Sequence, residues 1–190
     1  MFIPIPIDVR QSNAPRRKPV ANGVIVALNV LAFVLGGASG WYIGYDGHGW
    51  WSVLSYGFAH ASPWHLIGNM YLLVMIGNPV NRRIGNLNYS LAYFGSILAL
   101  GVMGWFSGLQ PLMGSSGAIF AMIAIFLMLM PAAVVDFSYI ALFPVTVLVC
   151  LFLKPKEFTD WFLRWGKFST RAWWFLFFIP IIELWGFLMW

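Results

Sequence analysis

"GSSGAIFAMIAIFLMLM", residues 114–130, sets two serines between two glycines and then runs apolar to its end. The run is long enough for a helix that crosses a bilayer, which takes roughly 20 apolar residues. Its polar start has two readings. In one, Ser115 or Ser116 caps the helix and the glycines let a neighbouring helix approach. In the other, a serine does chemistry on the first turn, where unpaired N–H groups carry a partial positive charge that can stabilise an oxyanion.

Working outward, the rest of the chain supplies the same solvent. Of its 190 residues 61% are hydrophobic and 9% charged, with a mean hydropathy of +0.79. Ordinary soluble domains carry about 25% charged residues. The single cysteine, Cys150, excludes an internal disulfide framework, and no metal cluster or cofactor is implied. The net charge of +5 does not point to nucleic acid, because the basic residues flank apolar runs and form no continuous soluble face.

Between Val20 and Leu153 the charged residues are Asp46, Arg82, Arg83 and Asp136. The intervals predict spanning helices over 20–38, 63–80, 88–106 and 114–130, with a fifth over 172–190. The fold class expected is all-α, a polytopic transmembrane bundle. Arg10, Arg16, Arg17 and Lys18 precede the first span, and Arg82 and Arg83 follow two crossings later. The positive-inside rule then puts residues 1–19 in the cytoplasm and residues 20–190 in a multi-pass domain of the cell membrane. Trp41, Trp64 and Trp105 fall near the outer boundary. The segment 137–153 could cross as well, but Pro144 and its Val-rich composition disfavour a straight helix. Read as a non-spanning stretch, it keeps Lys154, Lys156, Arg164, Lys167 and Arg171 inside. A cleaved secretory signal is disfavoured by the length of the first apolar run and by Asn29 within it. The proline-rich start reads as extended or mobile.

A second polar cluster bears on the serines. "FAHASPWHLIGNMYLLVMIGNPVNRRIG", residues 58–85, opens the second span at the end where residue 114 opens the fourth. His65 and Asn69, spaced i, i+4, share one helix face. Polar side chains within spans face the bundle interior or a water-filled cavity. They either donate hydrogen bonds to a charge forming at Ser116 or form a structural network between helices. His60 lies before the span and reads as structural, and His48 carries no further signal.

These residues resemble the rhomboid intramembrane serine proteases. "WSVLSYGFAHASPWHLIGNM" is similar to that family's first outer loop and second helix, with paired histidines and HxxxN. "GSSGAIFAM" is similar to its GxSG nucleophile motif, and "PVANGVIVALNVLAFVLG" to its first helix. The resemblance covers nearly all of the chain from Pro19. It implies Ser116 as nucleophile, His65, Asn69 and nearby backbone as the oxyanion site, and Gly114, Gly117 and His60 as motif positions. Three departures stand beside it. Trp51-Ser52 replaces a Trp-Arg pair, and Asn81 replaces an acidic residue. No histidine follows Ser116 to serve as base. "ELWG" near the end places Glu183 where a histidine could be sought, but the last apolar run reads as the family's penultimate helix.

The expectation is therefore an intramembrane serine endopeptidase that cuts transmembrane segments of other proteins near the outer face. Its base histidine is expected beyond residue 190, and the 190-residue chain is expected to be inactive alone. The small residues Gly117, Ala121 and Ala124 are expected to receive that missing helix, or else one already present. The alternative is a rhomboid-like protein that binds transmembrane helices without cutting them. A channel or transporter is disfavoured, because intramembrane charge is lacking apart from Glu183.

Overall fold

The structure, a computed structural model, describes residues 2–10, 17–36, 49–107, 112–142, 146 and 163–174. It is mostly helical, and the chain divides into two compact units.

The first unit holds the helices. Helix α1, Val20–Val34, starts after Pro19 and ends in a turn at Leu35 and Gly36. A short helix α2, Ser52–Ser55, runs into a 3₁₀ turn, Tyr56–Phe58. Ser62 then caps α3, Pro63–Leu72: its Oγ accepts the His65 N–H at 3.2 Å, and Pro63 fills the first turn, where no N–H is needed. The helix continues through a π turn, Leu73–Gly77, into α4, Asn78–Ile84. Gly85, at φ +86°, reverses the chain into α5, Asn86–Ser107. Helix α6 is Ser116–Leu129. The four helices expected up to residue 130 are all present, with ends shifted by a few residues.

The helices bury an apolar core that includes Leu73, Ile76, Ile97, Met122 and Phe126, yet also leave large apolar side chains outward. Val24, Leu31, Leu87, Leu91, Met103 and Phe106 are exposed, while Asn22, Asn29 and Asn81 are fully buried. Large apolar side chains exposed along α1 and α5 fit a lipid environment. Among the described residues α5 is the one helix long and apolar enough to cross a membrane by itself, and α1 and α6 are shorter apolar helices.

One buried network ties α1, α4 and α5 together. The Asn22 carboxamide donates to the Leu73 carbonyl and to Asn78 Oδ1, both at 2.8 Å, and accepts from the Tyr89 hydroxyl at 2.6 Å. The Asn22 N–H donates to Asn81 Oδ1 at 3.0 Å, and Asn81 Nδ2 donates to Asn86 Oδ1 at 2.9 Å. Every hydrogen-bonding atom of the Asn22 carboxamide is thus engaged away from water.

The second unit is an antiparallel sheet in the order β1-β2-β3: Phe2–Arg10, Val134–Leu142 and Leu163–Arg171. The all-α expectation is corrected here. The alternation of Val135 and Phe137, buried, with Val134, Asp136 and Ser138, half-buried, is a strand period. Apolar content alone did not separate it from a helix. The start of 137–153 is therefore a strand, and the extended reading of the N-terminus becomes β1. Phe137 stacks on Phe168 of β3 with ring centroids 5.1 Å apart. Arg10 joins all three strands. Its Nε and Nη2 meet the two Asp136 oxygens, each at 2.6 Å, Nη2 reaches Ser169 Oγ at 3.2 Å, and that hydroxyl donates to Asp136 at 2.5 Å. Residues 175–190, which carry most of the expected fifth span, and Glu183 with them, lie outside the described residues, as does Pro144.

Two outcomes follow from these contacts. Asn22→Leu leaves the Leu73 carbonyl and the Tyr89 hydroxyl unpaired. It should lower stability by roughly 1–3 kcal/mol in reversible unfolding in mixed micelles. The hydrogen bonds and charge of Arg10 hold the Asp136 carboxyl below its ordinary pKa of 3.8. A depressed carboxylate contributes stability above its unfolded-state pKa and loses it as pH falls through the folded value. Amide exchange in β1 and β3 should therefore accelerate below about pH 4, and Arg10→Gln should flatten that dependence.

Candidate active site

The site is built around the turn that opens α6. Gly114 has φ +95°, a conformation that side chains disfavour. Its N–H donates to the Tyr56 carbonyl at 2.9 Å, which anchors the turn to the segment before α3. A Cβ at residue 114 would lie 2.9 Å from both Cε1 and Nε2 of His65 and 3.3 Å from Nδ2 of Asn69. The HxxxN pair and the GxSG turn, 45 residues or more apart in the chain, are therefore in contact, and the missing side chain permits it.

The two serines differ in access. Ser115 is fully buried. Ser116 is half-buried and is the first residue of α6. The first-turn N–H groups of α6 have no intrahelical acceptor. Ser115 occupies the N-cap position of α6, and its side chain makes no cap hydrogen bond.

His60, read as structural, supports the pair from behind. It is 1% exposed, its Nδ1 lies 3.2 Å from the Phe58 carbonyl, and its ring meets that of His65 edge-on at 5.1 Å. Burial, with the nearby His65, pushes its pKa down to about 4, against the pull of the Phe58 carbonyl. His60 is thus neutral at physiological pH, with Nδ1 the donor.

Helix phase explains how Asn69 and Asn81 both come to be buried. Twelve residues of regular α-helix would set them about 120° apart. The π turn between them absorbs one extra residue, which removes about 100° and leaves them near one face. The Asn22 bond to the Leu73 carbonyl lies within that turn.

Gly117 is packed as well. A Cβ there would lie 2.4 Å from Leu100 Cδ1 of α5. The expected small-residue face is thus divided: Gly117 meets a helix already present, Ala121 is half-buried and Ala124 is exposed. Ser52, which stands beside Trp51 in place of the expected arginine, is fully buried, and its Oγ has no partner. His48 lies outside the described residues. Sequence reasoning missed Tyr56, whose carbonyl holds Gly114 and whose hydroxyl donates to the Ile97 carbonyl at 3.0 Å. A backbone contact of that kind leaves no residue-type signal. Among the described residues no group of three metal-ligating side chains occurs.

Comparison with known proteins gives the geometry a context. The family model described as the rhomboid domain matches residues 47–158. The chain is 30% identical over 73 residues to Rhomboid-related protein 2 of Mus musculus, a match covering 38% of this chain and 24% of that relative. The chain thus spans about a quarter of the length of the curated relative it matches. No solved structure matches it.

Gly114→Ala tests the contact. The substitution adds a left-handed backbone cost of about 1–2 kcal/mol and drives a methyl group into the imidazole. It should destabilise the helical unit and change the His65 ring signals in NMR spectra of the protein in micelles. Gly68→Ala, where a Cβ has open space, should do neither.

Proposed function

The chain belongs to the rhomboid family of membrane proteins, and from that membership we propose that it carries the nucleophile and oxyanion site of an intramembrane serine endopeptidase. The observation that carries the proposal is the packing of His65 and Asn69 on Gly114, two residues before a half-exposed Ser116. In this reading a substrate's transmembrane segment unwinds near its outer end, and Ser116 Oγ attacks the exposed carbonyl carbon. The first-turn N–H groups, the Asn69 carboxamide and the His65 imidazole receive the negative charge on the carbonyl oxygen. Such donors strengthen their bonds as charge develops, and each is worth on the order of 10²–10³ in rate. In this reading the helices form a multi-pass bundle with the N-terminus in the cytoplasm, which the arginine and lysine distribution supports.

The serine proton needs an acceptor. No histidine follows Ser116 within these 190 residues, and in this reading the acceptor is a base supplied to the site. General-base help contributes roughly 10²–10⁴-fold. The 190-residue chain alone is therefore expected to be slower than an active form by at least that factor. The same observation favours a second reading, a family member that holds transmembrane helices without cutting them.

The experiment is cleavage of a transmembrane reporter by the chain joined to a helix bearing the base. Ser116→Ala should abolish turnover, Asn69→Ala should reduce kcat by about 10²-fold, and Ser115→Ala should retain much of it. Reporter binding without cleavage in every form would favour the non-cleaving reading. Loss of activity in Ser115→Ala but not in Ser116→Ala would show the wrong serine to have been assigned.

A further inference from the structure

The sheet carries a feature the protease reading does not use. Along β3 the side chains of Leu163, Trp165, Lys167, Ser169 and Arg171 are all exposed, while Gly166, Phe168 and Thr170 between them are half-buried. Trp165 is 74% exposed. β3 is an edge strand, so this row lies at the border of the sheet. Among the described residues neither Lys167 nor Arg171 forms an ion pair, and Lys167 exerts only the weakest of the pulls on the Asp136 carboxyl. The nearest carboxylate across the strands, Asp136, is already held by both nitrogens of Arg10, and Asp8 stands on β1, two strands away.

The row also leads somewhere. Past Arg171 come Ala172, Trp173 and Trp174, whose indole rings stack at 4.6 Å and are both exposed. The sequence then runs apolar from Phe175 to Trp190, interrupted by Glu183. Tryptophan next to an apolar run, with lysine and arginine just before it, is the composition of a segment at a bilayer surface. Lys154, Lys156 and Arg164 add to the positive charge of the same stretch of sequence, against Glu157 and Asp160. We propose that the outward row of β3, Trp165 with Lys167 and Arg171, docks on an anionic lipid surface. The two cations meet lipid phosphate groups, and the Trp165 ring enters the headgroup layer. The proposal is independent of whether Ser116 is catalytic.

The test uses the whole chain with Cys150→Ser and Ser138→Cys, the new thiol carrying an environment-sensitive fluorophore. Residue 138 lies across the strands from Lys167. The labelled protein is placed in nanodiscs of pure phosphatidylcholine or with rising fractions of phosphatidylglycerol. The emission should shift to the blue as phosphatidylglycerol is added, and 0.5 M salt should reverse it. Each basic residue near an anionic surface is worth about five-fold in apparent affinity. Lys167→Gln with Arg171→Gln should therefore weaken the response roughly 25-fold. Lys167→Glu with Arg171→Glu should transfer the response to a cationic lipid. A signal equal in pure phosphatidylcholine overturns the proposal, as does one unchanged by the paired glutamines. A reversed pair that responds to neither lipid also overturns it. Protection of the β3 amides that ignores lipid charge would point instead to strand addition by a protein partner, and would equally overturn it.

Discussion

At residue 114 the backbone turns with φ +95° and runs so close to α3 that a single methyl group would sit 2.9 Å from the His65 ring. That close approach fixes the start of α6 against the helix that carries His65 and Asn69. The Tyr56 carbonyl holds the Gly114 N–H from a third segment, and His60 backs the His65 ring. The turn is thus held by contacts from several directions, which is what keeps a left-handed residue in place. That anchoring sets the turn just before Ser116 against His65 and Asn69.

The rest of the helical unit keeps that locality in register. Asn22, Asn78 and Asn81 satisfy one another and the Leu73 carbonyl away from water. The π turn at Leu73–Gly77 opens a backbone carbonyl to the Asn22 amide and corrects the phase of the helix. One end then presents His65 and Asn69 while the other presents Asn78 and Asn81 to the network. Local irregularity in α3–α4 and the composition of α1 are two halves of one solution.

Much of this was legible in the residues. Long uncharged intervals located α1, α3, α5 and α6 because charge is excluded from a lipid-facing helix. The i, i+4 spacing put His65 and Asn69 on one face. The GxSG stretch pointed to Ser116, whereas the burial that separates it from Ser115 is a tertiary property. The π turn was hidden because "LVMIG" has no composition of its own. The sheet was hidden because β1, β2 and β3 are far apart in sequence, and a strand of nine residues rich in Val and Phe resembles part of a helix until its partners are known. Asn81, which stands where the family resemblance has an acidic residue, is a member of the buried network.

The central claim is that the His65 and Asn69 donors and Ser116 face one reacting atom. The most direct measurement is a structure of an active form whose serine has been captured by a phosphonofluoridate. The account predicts an adduct on Ser116 with its phosphoryl oxygen about 2.7–3.1 Å from Asn69 Nδ2 and from His65 Nε2. An adduct on Ser115, or a phosphoryl oxygen directed away from both side chains, would contradict it.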